Sequence, residues 1–133
     1  MIELHIHIPE SVREQADRIL NQEYYTDDTL YITLCLTGSV DVELGVGYDI
    51  GRERAYASVE VKDTASWILL HTLWEGSSIP WEDHDKMAFE FDVGGEKYKL
   101  CFSVDADIEE PIVLNSSGNQ VRYIPVTVDM LFD

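Results

Sequence analysis

Positive charge is what this chain has least of. Lys and Arg together number 9 against 26 Asp and Glu, a formal net charge of −17 at pH 7. A nucleic-acid backbone is repelled by such a surface except at a local basic patch, and an anionic lipid leaflet is repelled in the same way. Cysteine is scarcer still in number. Cys35 and Cys101 lie far apart and form no CxxC pair, which excludes a disulfide framework or a zinc knuckle and reads as two free, partly buried thiols. Long hydrophobic runs are missing as well. The longest, Trp67-Ile68-Leu69-Leu70, is far short of the ~20 residues of a spanning helix. The first residues, Met1-Ile2-Glu3-Leu4-His5-Ile6-His7-Ile8, alternate and carry no basic stretch, unlike a signal peptide, so the cytoplasm is the expected location. Asn115-Ser116-Ser117 fits the glycosylation pattern but has no weight without a secretory signal. Prolines and glycines cluster into no linker, and no repeat or low-complexity tract appears, so residues 1–133 read as a single domain. GxSxG, Walker-type lysine loops and HExxH are all lacking.

The apolar fraction, 45%, is that of a globular core, so the acidity does not signal disorder. Residues 2–8 alternate with period two, a half-buried strand that Pro9 ends. Ser11 and Glu14 form a capping box for a helix over 12–21, with Val12, Ala16, Ile19 and Leu20 as its apolar stripe. Strands follow at 30–36 and 40–48. Their apolar sets face each other only if residues 37–39 form the loop, opposing Leu36 to Val40 and Leu34 to Val42. Gly45-Val46-Gly47-Tyr48-Asp49-Ile50-Gly51 lacks dinucleotide-binding spacing, and its glycines suggest a bulge or bend. A third strand covers 53–62, with Ala55, Ala57, Val59 and Val61 on one side. Asp63 is an N-cap for a second, nearly all-apolar helix over 64–74, expected to be buried in the core. Residues 87–93 and 96–104 flank Gly94-Gly95 as a hairpin that opposes Asp92 to Lys97, Glu90 to Lys99, Phe91 to Tyr98 and Phe89 to Leu100. Short strands near 111–114 and 121–128 finish the chain, with Pro125 placing the last at an edge or bulge. The expected fold is α+β, a mainly antiparallel sheet with two helices packed on it, in the order β-α-β-β-β-α-β-β-β-β.

Two patterns carry candidate metal chemistry. His5 and His7 share a strand face about 6–7 Å apart, the arrangement of two zinc ligands, with His71, His84 or a carboxylate as a third. Asp105-Ala106-Asp107-Ile108-Glu109-Glu110 begins like a calcium loop but has Glu110 where the sharp turn needs Gly, and Ser116 where the bidentate Glu belongs. No cofactor is expected. The stronger lead is three acidic connecting segments, two of them carrying aromatics: Tyr24, Tyr25, Asp27 and Asp28; Trp81, Glu82, Asp83 and Asp85; and Asp105, Asp107, Glu109 and Glu110. Tyr and Trp are common interface anchors, and a carboxylate rim steers a basic partner. The expectation is a non-catalytic protein-binding inhibitor, an immunity protein that neutralises a basic nuclease toxin. The alternatives are a phage-type DNA mimic acting on a nucleic-acid-binding defence protein, a metal-dependent enzyme using His5 and His7, and a dimeric chaperone or assembly subunit with an exposed apolar strand.

Overall fold

The computed structural model describes residues 1–36, 38–83, 87–121 and 126–131. In chain order they form β1 (Ile2–Pro9), α1 (Glu10–Leu20), β2 (Thr29–Cys35), β3 (Val40–Asp49), β4 (Arg54–Asp63), β5 (Leu69–Gly76), β6 (Ala88–Val93), β7 (Glu96–Asp105), β8 (Ile112–Asn115) and β9 (Val126–Leu131). The described residues are mostly β-sheet with one short helix, in two sheets. It divides into two compact units, Met1–Arg13 with Pro80–Tyr123 and Glu14–Ile79 with Ile124–Asp133.

The first unit holds the sheet β6-β7-β1-β8. β1 is an inner strand, paired on both sides, and its alternation buries one face: Leu4, Ile6 and Ile8 are buried. It runs parallel to β7, pairing Leu4 with Leu100 and Ile6 with Phe102, and antiparallel to β8. The β6–β7 hairpin has the expected register throughout, including Asp92 opposite Lys97, Glu90 opposite Lys99 and Phe91 opposite Tyr98. Gly94 and Gly95 take φ of +61° and +85°, which a two-residue turn of this hand requires. On the apolar face Phe91 stacks on Tyr98 at 5.3 Å, and burial raises the Tyr98 pKa.

The second unit holds the sheet β5-β4-β3-β2-β9, antiparallel throughout. Leu34 pairs with Val42, and the Leu36 amide donates to the Val40 carbonyl at 2.8 Å, so the β2–β3 loop closes as the face-matching argument requires. Ala55, Ala57, Val59 and Val61 of β4 are all buried. α1 opens at Glu10, leaving Ser11 in its first turn instead of at the cap; its stripe of Val12, Ala16 and Ile19 is buried.

Two expectations are corrected. The second helix does not form: residues 64–67 make a single turn and β5 follows as a strand. Asp63 does cap amide groups, but the turn it caps ends at once because Trp67 adopts φ +61°. The β3 glycines cause no bulge: the β3–β4 ladder runs through Gly45 and Gly47 in unbroken register, and the β2–β3 ladder runs through Gly45. Gly45 makes room for a neighbour instead. A Cβ there would lie 3.1 Å from Cε1 of Tyr31, whose ring covers it from the paired position on β2. β9 is terminal in its sheet, as an edge position for the last strand requires; Pro125 itself lies outside the described residues.

Candidate functional site

The connection between β4 and β5 is a closed turn that carries apolar side chains outward. The Asp63 amide donates to the Ile68 carbonyl at 2.9 Å, and the Trp67 amide donates to the Asp63 carbonyl at 2.8 Å. Asp63 Oδ1 accepts from the Ala65 amide, the Ser66 amide and the Ser66 hydroxyl at 3.0, 2.9 and 3.0 Å. Those bonds hold the Asp63 carboxyl below its ordinary pKa of 3.8. The turn is also anchored sideways: Thr64 donates its amide to the Ser39 carbonyl and its hydroxyl to Asp41, both at 2.9 Å. Within this frame Trp67 is 70% exposed and Ile68 62%. Leu69 and Leu70, the first residues of β5, are exposed as well. Four consecutive large apolar side chains therefore face solvent, two on the turn and two at the start of a strand that is terminal in its sheet.

A charged ladder lies beside this turn. Glu43 and Glu60 oppose each other directly across β3 and β4, an unfavourable pairing of like charges. Lys62 offsets it, with Nζ 3.6 Å from Glu43 and 3.8 Å from Glu60. The same ammonium stands 5.7 Å from the centre of the Trp67 ring, a cation–π contact. The hollow over this face encloses about 520 Å³ and includes Tyr31, Tyr48 and Tyr56 in its lining. Arg52 lies over the Tyr56 ring at 4.1 Å while bonding Asp49 at 2.6 Å, which holds the Asp49 carboxyl below its ordinary value.

The acidic segments are placed unevenly. Tyr24 and Tyr25 are exposed, and Tyr25 donates to the exposed Asp27 and meets Tyr48 edge-to-face at 5.4 Å. Asp28, only 4% exposed, is inside. Trp81 is also buried, at 8%, while Glu82 and Asp83 are exposed; Asp85 and His84 fall outside the described residues. In the third segment Asp107, Glu109 and Glu110 are exposed and Asp105 is half-buried, its carboxylate accepting the Asp107 amide at 2.8 Å. The second and third segments meet in the first unit around a hollow of about 330 Å³ that includes Trp81, Glu82 and Ala106, where Arg13 reaches Glu82 at 3.8 Å. Tyr24, Tyr25, Asp27 and Asp28 belong to the other unit.

His5 and His7 do share the outer face of β1, but their surroundings differ. His7 Nδ1 lies 3.2 Å from the Ser103 hydroxyl, its partner on β7. His5 is paired with Cys101 and has Nε2 3.5 Å from Glu3. Burial pushes the Cys101 thiol up in pKa. His71 belongs to the other unit.

No protein-family model, curated protein or solved structure matches the chain. Among the described residues no helix is long and apolar enough to cross a membrane. The β4–β5 turn is a candidate feature that the sequence pattern hides, because its residues read as a buried helix. The period does not separate helix from strand here, but Thr72 and Trp74 favour a strand and Gly76 ends the run within eight residues.

Proposed function

We propose that the chain is a non-catalytic binding protein for a basic protein surface, acting as an immunity-type inhibitor of a nuclease toxin. One observation carries this reading: Trp67 and Ile68 on a hydrogen-bonded turn, and Leu69 and Leu70 at the start of β5, stand exposed in a chain of net charge −17. A contiguous apolar patch of this kind marks an interaction site, and a Trp presented on a turn already ordered before binding is an anchor of low entropic cost. The charge supports a basic partner, since it accelerates encounter with one and opposes association between two copies of the chain. Nuclease domains are basic because they must hold phosphate. Exposed Tyr24, Tyr25, Asp27, Glu82, Asp83, Asp107, Glu109 and Glu110 then serve as candidate steering and rim residues; buried Asp28 and Trp81 contribute through the fold. A DNA mimic acting on a defence protein is the same reading with another basic target. The cytoplasm is the compartment in which such an inhibitor meets its target.

The exposed apolar edge also favours a second reading, a dimeric chaperone or assembly subunit, with β5 as the pairing strand. Its mass in solution separates the two, because a strict monomer removes the dimer. The direct test takes a basic nuclease domain encoded beside this chain in its genome and measures affinity and nuclease inhibition across a salt series. Inhibition that weakens with salt, and is lost in Ile68→Asp/Leu70→Asp, supports the proposal. Affinity unchanged by salt and by that variant overturns it.

A further inference from the structure

Glu3, His5 and Cys101 are brought together by a pairing that no local pattern announces. β1 and β7 run parallel with His5 opposite Cys101, and Glu3 stands two residues before His5 on the same face. The alternation that buries Leu4, Ile6, Leu100 and Phe102 turns these three side chains to the other side of the sheet, where each is half-buried. One ligand atom from each, a carboxylate oxygen, an imidazole nitrogen and the thiol sulfur, lies within 4.8 Å of the others. Glu3 Oε1 and His5 Nε2 are 3.5 Å apart. Tetrahedral zinc with bonds of ~2.0–2.3 Å sets its ligand atoms roughly 3.3–3.7 Å apart, so this pair already has the spacing of two zinc ligands. The sulfur, within 4.8 Å of the other two atoms, has to approach by no more than about 1.5 Å, within reach of a χ1 adjustment. We propose that Glu3, His5 and Cys101 form a zinc site.

The donor set selects the metal. A thiolate with an imidazole and a carboxylate suits a borderline-soft ion such as Zn²⁺ and is a poor cage for Mg²⁺ or Ca²⁺. Three protein donors leave the fourth position to water or to a donor from a partner. His7 is not a ligand: it is one rung further along, beside the Ser103 hydroxyl. The ion ties the first strand of the chain to the seventh, a long-range closure that stabilises the parallel pair. This inference is independent of the binding surface on the other unit.

The test uses the full chain without a histidine tag, stripped with chelator and titrated with Zn²⁺ and with Co²⁺ as an optical probe. The expected result is one ion per chain, a thiolate-to-cobalt charge-transfer band and the intense visible bands of tetrahedral Co²⁺. Cys101→Ser, nearly isosteric, abolishes the charge-transfer band; His5→Gln lowers affinity at least tenfold; His7→Ala and Cys35→Ser leave both unchanged. A weak octahedral Co²⁺ spectrum, an unchanged spectrum in Cys101→Ser, or loss of binding in His7→Ala overturns the proposal. Circular dichroism of each variant separates lost ligation from lost folding.

Discussion

Replacing Trp67 separates what this residue does for the fold from what it does for binding. Its φ of +61° lies in the left-handed region, where an L side chain costs about 1–2 kcal/mol. The residue is 70% exposed, so little packing offsets that cost, and the contact with Lys62 at 5.7 Å is worth about 0.5–1 kcal/mol at an exposed site. In Trp67→Ala the strain remains and the Lys62 contact is lost, so stability falls by about 0.5–1 kcal/mol. In Trp67→Gly the strain is relieved, against an extra unfolded-state entropy of about 0.4–1 kcal/mol, and stability stays within about 1 kcal/mol of the parent. The glycine variant is therefore the more stable of the two, the reverse of the usual order of alanine and glycine. Urea unfolding followed by far-ultraviolet circular dichroism reads this order as a higher midpoint for the glycine variant at unchanged slope. Under the proposed function, both variants lose binding to a basic nuclease domain at least tenfold, as removal of an anchor residue does. An alanine variant as stable as the glycine one refutes the strain argument. A loss of about 3–5 kcal/mol in either, the cost of truncating a core Trp, shows that Trp67 is a structural residue.

Other perturbations test the remaining contacts. Gly45→Ala places a Cβ 3.1 Å from the Tyr31 ring and destabilises by about 1–2 kcal/mol; adding Tyr31→Ser recovers most of the loss, and additive effects in the double-mutant cycle would contradict the close approach. Asp63 has its pKa lowered by the Ser66 and Ala65 bonds, so its contribution is complete above the ordinary value of 3.8 and is lost as pH falls through the lower folded value. Amide exchange or Trp67 fluorescence detects loosening of the turn on acidification, and Asp63→Asn removes that component of the pH dependence. Leu100→Ala, at a fully buried position between β6 and β1, costs about 2–5 kcal/mol by thermal or urea unfolding.

What could be read from the residues depended on how many local signals agreed. At 87–105 the glycine pair, the alternation and the opposed charges all demand one register, and the hairpin has it. At 64–76 they conflict. Asp63 signals a helix start and supplies the predicted side-chain bonds, yet those bonds complete one turn, and the short apolar run after it fits a helix or a strand equally by period. The parallel pairing of β1 with β7 was illegible for another reason. It joins segments more than ninety residues apart, and nothing in an alternating strand names its partner. His5 and His7 were thus found as a pair, while Glu3 and Cys101 were not joined to His5, because only the register sets Cys101 opposite it. Trp81 shows the converse: the carboxylates that follow it suggest an exposed anchor, but the ring is buried and Glu82 and Asp83 next to it face solvent.

An exposed apolar edge strand is a hazard, and the hazard is itself an argument about function. β5 presents Leu69 and Leu70 beside unpaired backbone at the sheet margin, the template on which chains pair indiscriminately. Two features limit that pairing without covering the patch. The β4–β5 ladder is irregular at Val59/Glu60 and again at Val61/Lys62, which bends the edge away from the flat geometry a second strand needs. The net charge of −17 adds repulsion between copies, and it acts only against partners of the same sign. A polar substitution at Ile68 or Leu70 would remove the hazard more simply, at little cost to the fold, since both side chains are exposed. Keeping them, on a turn that holds Trp67 in a strained conformation, makes sense if the patch is used. The charge then has two effects at one surface: it suppresses self-association and selects a basic partner.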